Sequence, residues 1–156
     1  MLVVTSFFLS GPGGPEVTAL GSTYVTKTDG TAVGGAYSLM EETFWSDSTP
    51  LHTHVAAEES FYVLDGDVEL HVAGRTSTAG PGAFITVPRG VVHGLRRLGT
   101  SPVRMLTIIS PPGFEQIFAE VAERGEEALL ADPEALVALA EQHGTVIVGD
   151  YPDRSR

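Results

Sequence analysis

The sequence predicts an all-β-dominated fold, a small β-barrel or sandwich that gives way to α-helices near its C-terminus. Three observations predict it. From Leu51 onward, short runs rich in β-branched and aromatic residues are separated by turn signals. Eighteen glycines and ten prolines suit a turn-rich β-fold. From Phe114 the apolar period lengthens from that of a strand to that of a helix.

The elements follow in order. Residues 1–15 form an N-terminal arm. Leu2 to Leu9 has the composition of an edge or exchanged strand, and Gly11-Pro12-Gly13-Gly14-Pro15 breaks any regular structure after it. Such an arm pairs with the sheet of a second protomer, so a homodimer is expected. Residues 16–110 form the barrel. Within it, Glu59 to Leu64 is a β-rich run ended by the turn signal Asp65-Gly66. Asp67 to Val72 alternates, turning Val68, Leu70 and Val72 inward and Glu69 and His71 outward. Gly80-Pro81-Gly82 is a turn, and Ala83 to Val87 leads to Pro88-Arg89-Gly90. Residues 111–149 form a helical segment. Phe114, Ile117, Phe118, Val121 and Ala122 recur at helical spacing. Asp132-Pro133 is an N-cap followed by proline at the first helical position, and Gly144 is the C-cap glycine after His143. These helices are expected to cover a barrel face or its mouth. The tail, residues 150–156, is polar and expected to be mobile. There is no internal repeat, which argues against a second barrel.

The chemistry concentrates in His52, His54 and Glu59, spaced H-x-H-x4-E, and in His93 after a Pro88-x-Gly90 turn. Three imidazoles and one carboxylate suit a divalent first-row transition metal. Residues two apart on a strand face the same way, so His52 and His54 share a face. Glu59 has the opposite parity and joins them only through a phase shift, for which Val55 to Glu58 leaves room. Glu58 competes for the carboxylate role, but Glu59 leaves Phe61 and Val63 on its own face. His71, pointing outward, and His143, at a helix end, are read as structural.

These residues resemble the cupin superfamily of jelly-roll β-barrels. Its first motif has the form G-x5-H-x-H-x3-4-E-x6-G, which His52, His54, Glu59 and Gly66 fit. Its second has the form G-x5-P-x-G-x2-H-x3-N, which Gly82, Pro88, Gly90 and His93 fit. Ser46 stands where the first motif opens with glycine and Arg97 where the second ends in asparagine, departures that bear on loop geometry rather than on ligands. Gly34 to Leu39 and Pro112 to Glu115 are also similar to the small, single-domain, quercetinase-like cupins of bacteria. The resemblance implies a cupin-type jelly roll holding one divalent transition metal ion per chain (Fe, Ni, Mn, Co, Cu or Zn) on His52, His54, Glu59 and His93. It further implies a dioxygenase that oxidises a flavonol or similar enolisable aromatic with O2, with Glu59 as ligand and base in surroundings that raise its basicity. Two alternatives stay open: a non-oxidative isomerase or cyclase of secondary metabolism, and a small-molecule-binding cupin with a structural metal. Tyr37, Met40, Phe61, Phe84 and Met105 are the candidate walls of the substrate pocket.

Bulk properties narrow the classes. The formal net charge of −11 disfavours nucleic acid as a partner. The absence of cysteine rules out disulfides and thiolate ligands. The apolar stretch from Met1 to Ser10 is too short to span a bilayer and lacks a basic flank, so no membrane association and cytoplasmic residence are expected. Arg89, Arg96, Arg97 and Arg104 cluster in the second-motif half, either as a solvated rim or with one of them orienting an anionic or phenolate substrate.

Overall fold

The computed structural model describes Leu9 and residues 11–153. The strand expected over Leu2 to Leu9 thus lies, Leu9 apart, outside the described residues. The described strands, in chain order, are β1 (Glu16–Ala19), β2 (Ser22–Thr28), β3 (Ser38–Phe44), β4 (Leu51–His54), β5 (Glu58–Asp65), β6 (Asp67–Val72), β7 (Arg75–Ala79), β8 (Phe84–Val87), β9 (His93–Leu98), β10 (Val103–Ser110) and β11 (Thr145–Gly149). The helices α1 (Gln116–Arg124), α2 (Glu126–Leu130) and α3 (Pro133–Gln142) lie between β10 and β11. A six-stranded sheet runs β1-β2-β3-β10-β5-β8 and a five-stranded sheet runs β11-β4-β9-β6-β7. Every strand pair is antiparallel, and the two sheets close on one another as a jelly roll.

Alternation decides what each strand buries. In β5, Glu59, Phe61 and Val63 are buried while Tyr62 and Leu64 are exposed; in β6, Val68 and Leu70 point inward. Together with Phe44, Leu95, Val103 and Met105 they make an apolar core with contributions from both sheets. Gly66 links β5 to β6 at φ 82°, and a Cβ there would stand 2.8 Å from the carbonyl oxygen of Pro102. That close approach, on top of the left-handed backbone, accounts for glycine at this motif position.

The helical segment buries Ile117, Val121, Leu129, Leu139 and Ala140 against Ala19 and Ile147. Asp132 caps α3 by accepting from the backbone N–H of Ala135 at 3.1 Å, and Pro133 occupies the first turn. Two expectations need correction here. Thr145–Gly149 is a strand paired with β4 and not the end of a helical region, because Thr145-Val146-Ile147-Val148 is β-branched throughout. The tail is anchored at Tyr151, which is buried beneath Arg96 with the guanidinium carbon 4.3 Å from its ring centroid. The two motif departures meet: Arg97 Nε donates to the carbonyl of Ser46 at 3.3 Å, and the backbone N–H of Arg97 donates to Asp47 at 3.0 Å. They fasten the loop before β4 to β9.

Candidate metal centre

His52 and His54 lie on β4 and His93 on β9, where His52 and His93 are directly opposed across the ladder. Glu59 comes from β5 in the other sheet. The phase change demanded by its parity is the crossing at Val55 to Ala57, where the chain leaves one sheet for the other. One ligand atom from each of the four side chains lies within 4.8 Å of all the others. Glu59 Oε2 stands 3.1 Å from His54 Nε2 and 2.9 Å from His93 Nε2.

The opposite edge of each imidazole is also occupied. Nδ1–H of His52 donates to the carbonyl of Pro50 at 2.8 Å, and Nδ1–H of His93 donates to Val91 at 3.0 Å. Because a carbonyl only accepts, these bonds fix the proton on Nδ1 and leave Nε2 free to ligate. His54 Nδ1 bonds Thr145 Oγ1 at 3.0 Å, and its ring stacks on Phe114 with centroids 3.6 Å apart. Convergent Nε2 atoms, a carboxylate oxygen between them and oriented rings fit a transition metal ion.

Electrostatics in the site departs from expectation for Glu59. Burial pushes its carboxyl up, but hydrogen bonds and charge from His54 and His93 outweigh that and hold it well below the usual carboxylate range. With Nε2 of both imidazoles bonded to it, Glu59 is ionised; a metal ion on the same Nε2 atoms would take the place of those partners. Burial, reinforced by the neighbouring His93, lowers His52 to about 4, which keeps its imidazole neutral.

The centre opens into a cavity of about 550 Å³, within the range typical of small-molecule sites. Its wall is mostly apolar and strongly aromatic, with Trp45, Phe61, Phe114 and Phe118 among its residues. The helical segment supplies one side of it through Ile117, Leu130, Leu136 and Ala140. Of the five wall candidates, Phe61 lines this cavity. Met40 and Met105 are packed in apolar clusters, while Tyr37 and Phe84 are 39% and 61% exposed. Strand parity explains Phe84, which pairs with outward-facing Tyr62. Among the described residues no arginine lines the cavity: Arg89 pairs with Glu58, Arg96 with Glu69, Arg97 with Asp47 and Arg104 with Glu41. The reading of a substrate-orienting arginine is thereby replaced by that of a rim of ion pairs. Glu58 is on this rim, leaving Glu59 as the carboxylate in the centre.

Sequence reasoning missed Thr145, the aromatic faces of Phe114 and Phe118, and a second buried carboxyl, Glu42. The signal for Glu42 was present: it shares strand parity with Met40 and Phe44, so it had to point inward. Ser22 Oγ and Thr107 Oγ1 each donate to it at 2.8 Å.

Comparison with known proteins agrees with this architecture. The Cupin domain family matches residues 45–109, a span that contains all four clustered side chains. The chain is 30% identical over 86 residues to quercetin 2,3-dioxygenase of Bacillus subtilis (strain 168), covering 54% of this chain and 25% of that protein. It is 32% identical over 112 residues to germin-like protein subfamily 2 member 2 of Arabidopsis thaliana, covering 67% and 49%. It thus spans a quarter to a half of these curated relatives. Among solved structures, the polyketide cyclase RemF from Streptomyces resistomycificus is 32% identical, with a TM-score of 0.51 and coverage of 61% of this chain and 68% of that one. With its two motifs, its jelly roll and its His-His-Glu-His cluster, the chain belongs to the cupin superfamily.

Proposed function

We propose that the protein is a metal-dependent enzyme acting on an extended, enolisable aromatic molecule, and that it acts as a quercetinase-like dioxygenase. The observation that carries this is the opening of a 3-His-1-Glu cluster into an aromatic cavity that no arginine or lysine lines among the described residues. Such a wall favours flat, weakly charged ligands over phosphorylated or small polyanionic ones.

A divalent transition metal ion on His52, His54, Glu59 and His93 would supply Lewis-acid activation of a substrate hydroxyl or carbonyl. Glu59, ionised between two imidazoles, accepts the proton of an enol or phenol. That proton would be made more acidic by Lewis-acid contact with the metal ion. Phe61, Phe114 and Trp45 hold the aromatic plane and keep water from the reacting carbon. Loss of the proton leaves an electron-rich carbon; its electrons reduce dioxygen, both oxygen atoms enter the cleaved product, and no external reductant is needed.

A second reading is a non-oxidative cyclisation or isomerisation driven by the same proton transfer. The likeness to a polyketide cyclase over two thirds of that chain supports it. Oxygen uptake on quercetin by metal-loaded protein separates the two. The dioxygenase reading predicts one O2 consumed per substrate cleaved and a loss of about a hundredfold or more in turnover for Glu59→Ala at matched metal content. Conversion that proceeds unchanged under strict anaerobiosis would transfer the assignment to the second reading. Turnover that survives in metal-loaded Glu59→Ala would remove the base from the mechanism.

A further inference from the structure

Glu42 and Tyr24 both line the cavity that contains the metal cluster, yet neither has a part in the chemistry above. They face each other from β3 and β2, where they are directly paired across the ladder. Glu42 is 4% exposed and Tyr24 6%. Ser22 and Thr107 donate one hydrogen bond to each carboxyl oxygen of Glu42, and Tyr24 is its neighbour across the ladder. Tyr24 is held in turn by Phe118, whose ring stacks on it with centroids 3.9 Å apart and planes 16° apart. Burial pushes Glu42 up to about 7, so that it can present a proton as well as a lone pair.

The register sets the backbone of this group apart from that of the metal ligands, while its side chains stay within electrostatic reach of Glu59. Glu42 pairs with Met105 on β10, and Met105 pairs with Val63 on β5, four residues along that strand from Glu59. Four residues of strand amount to about 13 Å between backbone levels. A structural tie between β2, β3 and β10 would not require a carboxyl facing the cavity, and burying one there is unfavourable unless its hydrogen bonds are completed. A carboxyl has about four acceptor positions, so the two hydroxyl partners, Ser22 and Thr107, leave room for a ligand.

We infer that Glu42 and Tyr24 form a second polar pole of the cavity, which hydrogen-bonds a hydroxyl or carbonyl of the ligand while the metal cluster takes another. The ligand class is then an extended aromatic with oxygen substituents at both ends. The inference rests on the aromatic-substrate reading and narrows it.

Quercetin and 3-hydroxyflavone test it. They share the hydroxy-ketone group suited to a metal, but 3-hydroxyflavone lacks the hydroxyls on the outer rings. Binding is read anaerobically on zinc-loaded protein from the fluorescence of Trp45, the single tryptophan of the chain and part of the cavity wall. Wild-type protein should bind quercetin about tenfold or more tighter than 3-hydroxyflavone. Tyr24→Phe, which keeps the stack on Phe118, and Glu42→Leu should bring that ratio towards one, and Glu42→Gln should restore most of it. A merely structural role would weaken both ligands together and leave the ratio alone. If both ligands bind and the ratio is near one in wild type, or is moved by neither Tyr24→Phe nor Glu42→Leu, the second pole is wrong. If wild type binds neither ligand, the aromatic-substrate reading falls, and the pole falls with it.

Discussion

Thr145 illustrates how a residue outside the ligand set governs it. Its hydroxyl holds Nδ1 of His54 at 3.0 Å, and it reaches that position because β11 pairs with β4 in the register Thr145↔His54. Removing the partner of a ligating imidazole costs about 10–100-fold in metal affinity. Thr145→Val is therefore expected to weaken metal binding by that factor, measured by competition with a chromophoric chelator, while the fold is retained. Glu42 makes a separate prediction. Its folded-state value of about 7 exceeds the ordinary 4.5, so the folded protein holds more protons than the unfolded chain between those pH values. Its contribution to stability is then largest below about pH 4.5 and is lost as pH rises through about 7, a change of about 3 kcal/mol. Urea unfolding of wild type and Glu42→Gln across this window should show the wild type losing ground to the variant as pH rises; parallel curves would contradict it.

At the scale of elements, the helical segment is part of the cavity rather than a cover added to a finished barrel. Phe114 stacks on His54 and Phe118 on Tyr24, so the same segment braces both the metal cluster and the Glu42–Tyr24 pair. Asp132→Ala removes the cap of α3 and is expected to cost about 1 kcal/mol, read as a lowered urea midpoint with unchanged slope. Much of this level was legible in the sequence. The cap, the turn at Gly66 and the alternation of β5 and β6 are local signals, and the structure follows them. β11 was not legible as part of the barrel, because its place depends on pairing with β4, some ninety residues earlier. Four of the five wall candidates, all but Phe61, lie off the cavity for a related reason. Met105 and Phe61 are both buried and inward, and only the three-dimensional spacing of the sheets decides which of them meets a cavity. Glu42 lay within reach of parity alone, once Met40 and Phe44 were taken as inward.

For the whole molecule, two sheets and a helical segment converge on one cavity. The five-stranded sheet contributes three imidazoles and the six-stranded sheet the carboxylate, so the cluster exists only when the barrel is closed. Metal binding should accordingly stabilise the fold, since the unfolded chain holds no such array. Among the described residues no helix is long and apolar enough to cross a membrane. The most direct test of the account is elemental analysis of wild type and of His54→Ala/His93→Ala, each loaded in parallel with iron, nickel, manganese, cobalt, copper and zinc and then desalted. The account predicts one transition metal ion per wild-type chain with at least one of these metals, a higher melting temperature in that form, and loss of both in the double variant. Wild-type protein that retains no metal under any loading, or a double variant that retains as much as wild type, would contradict it.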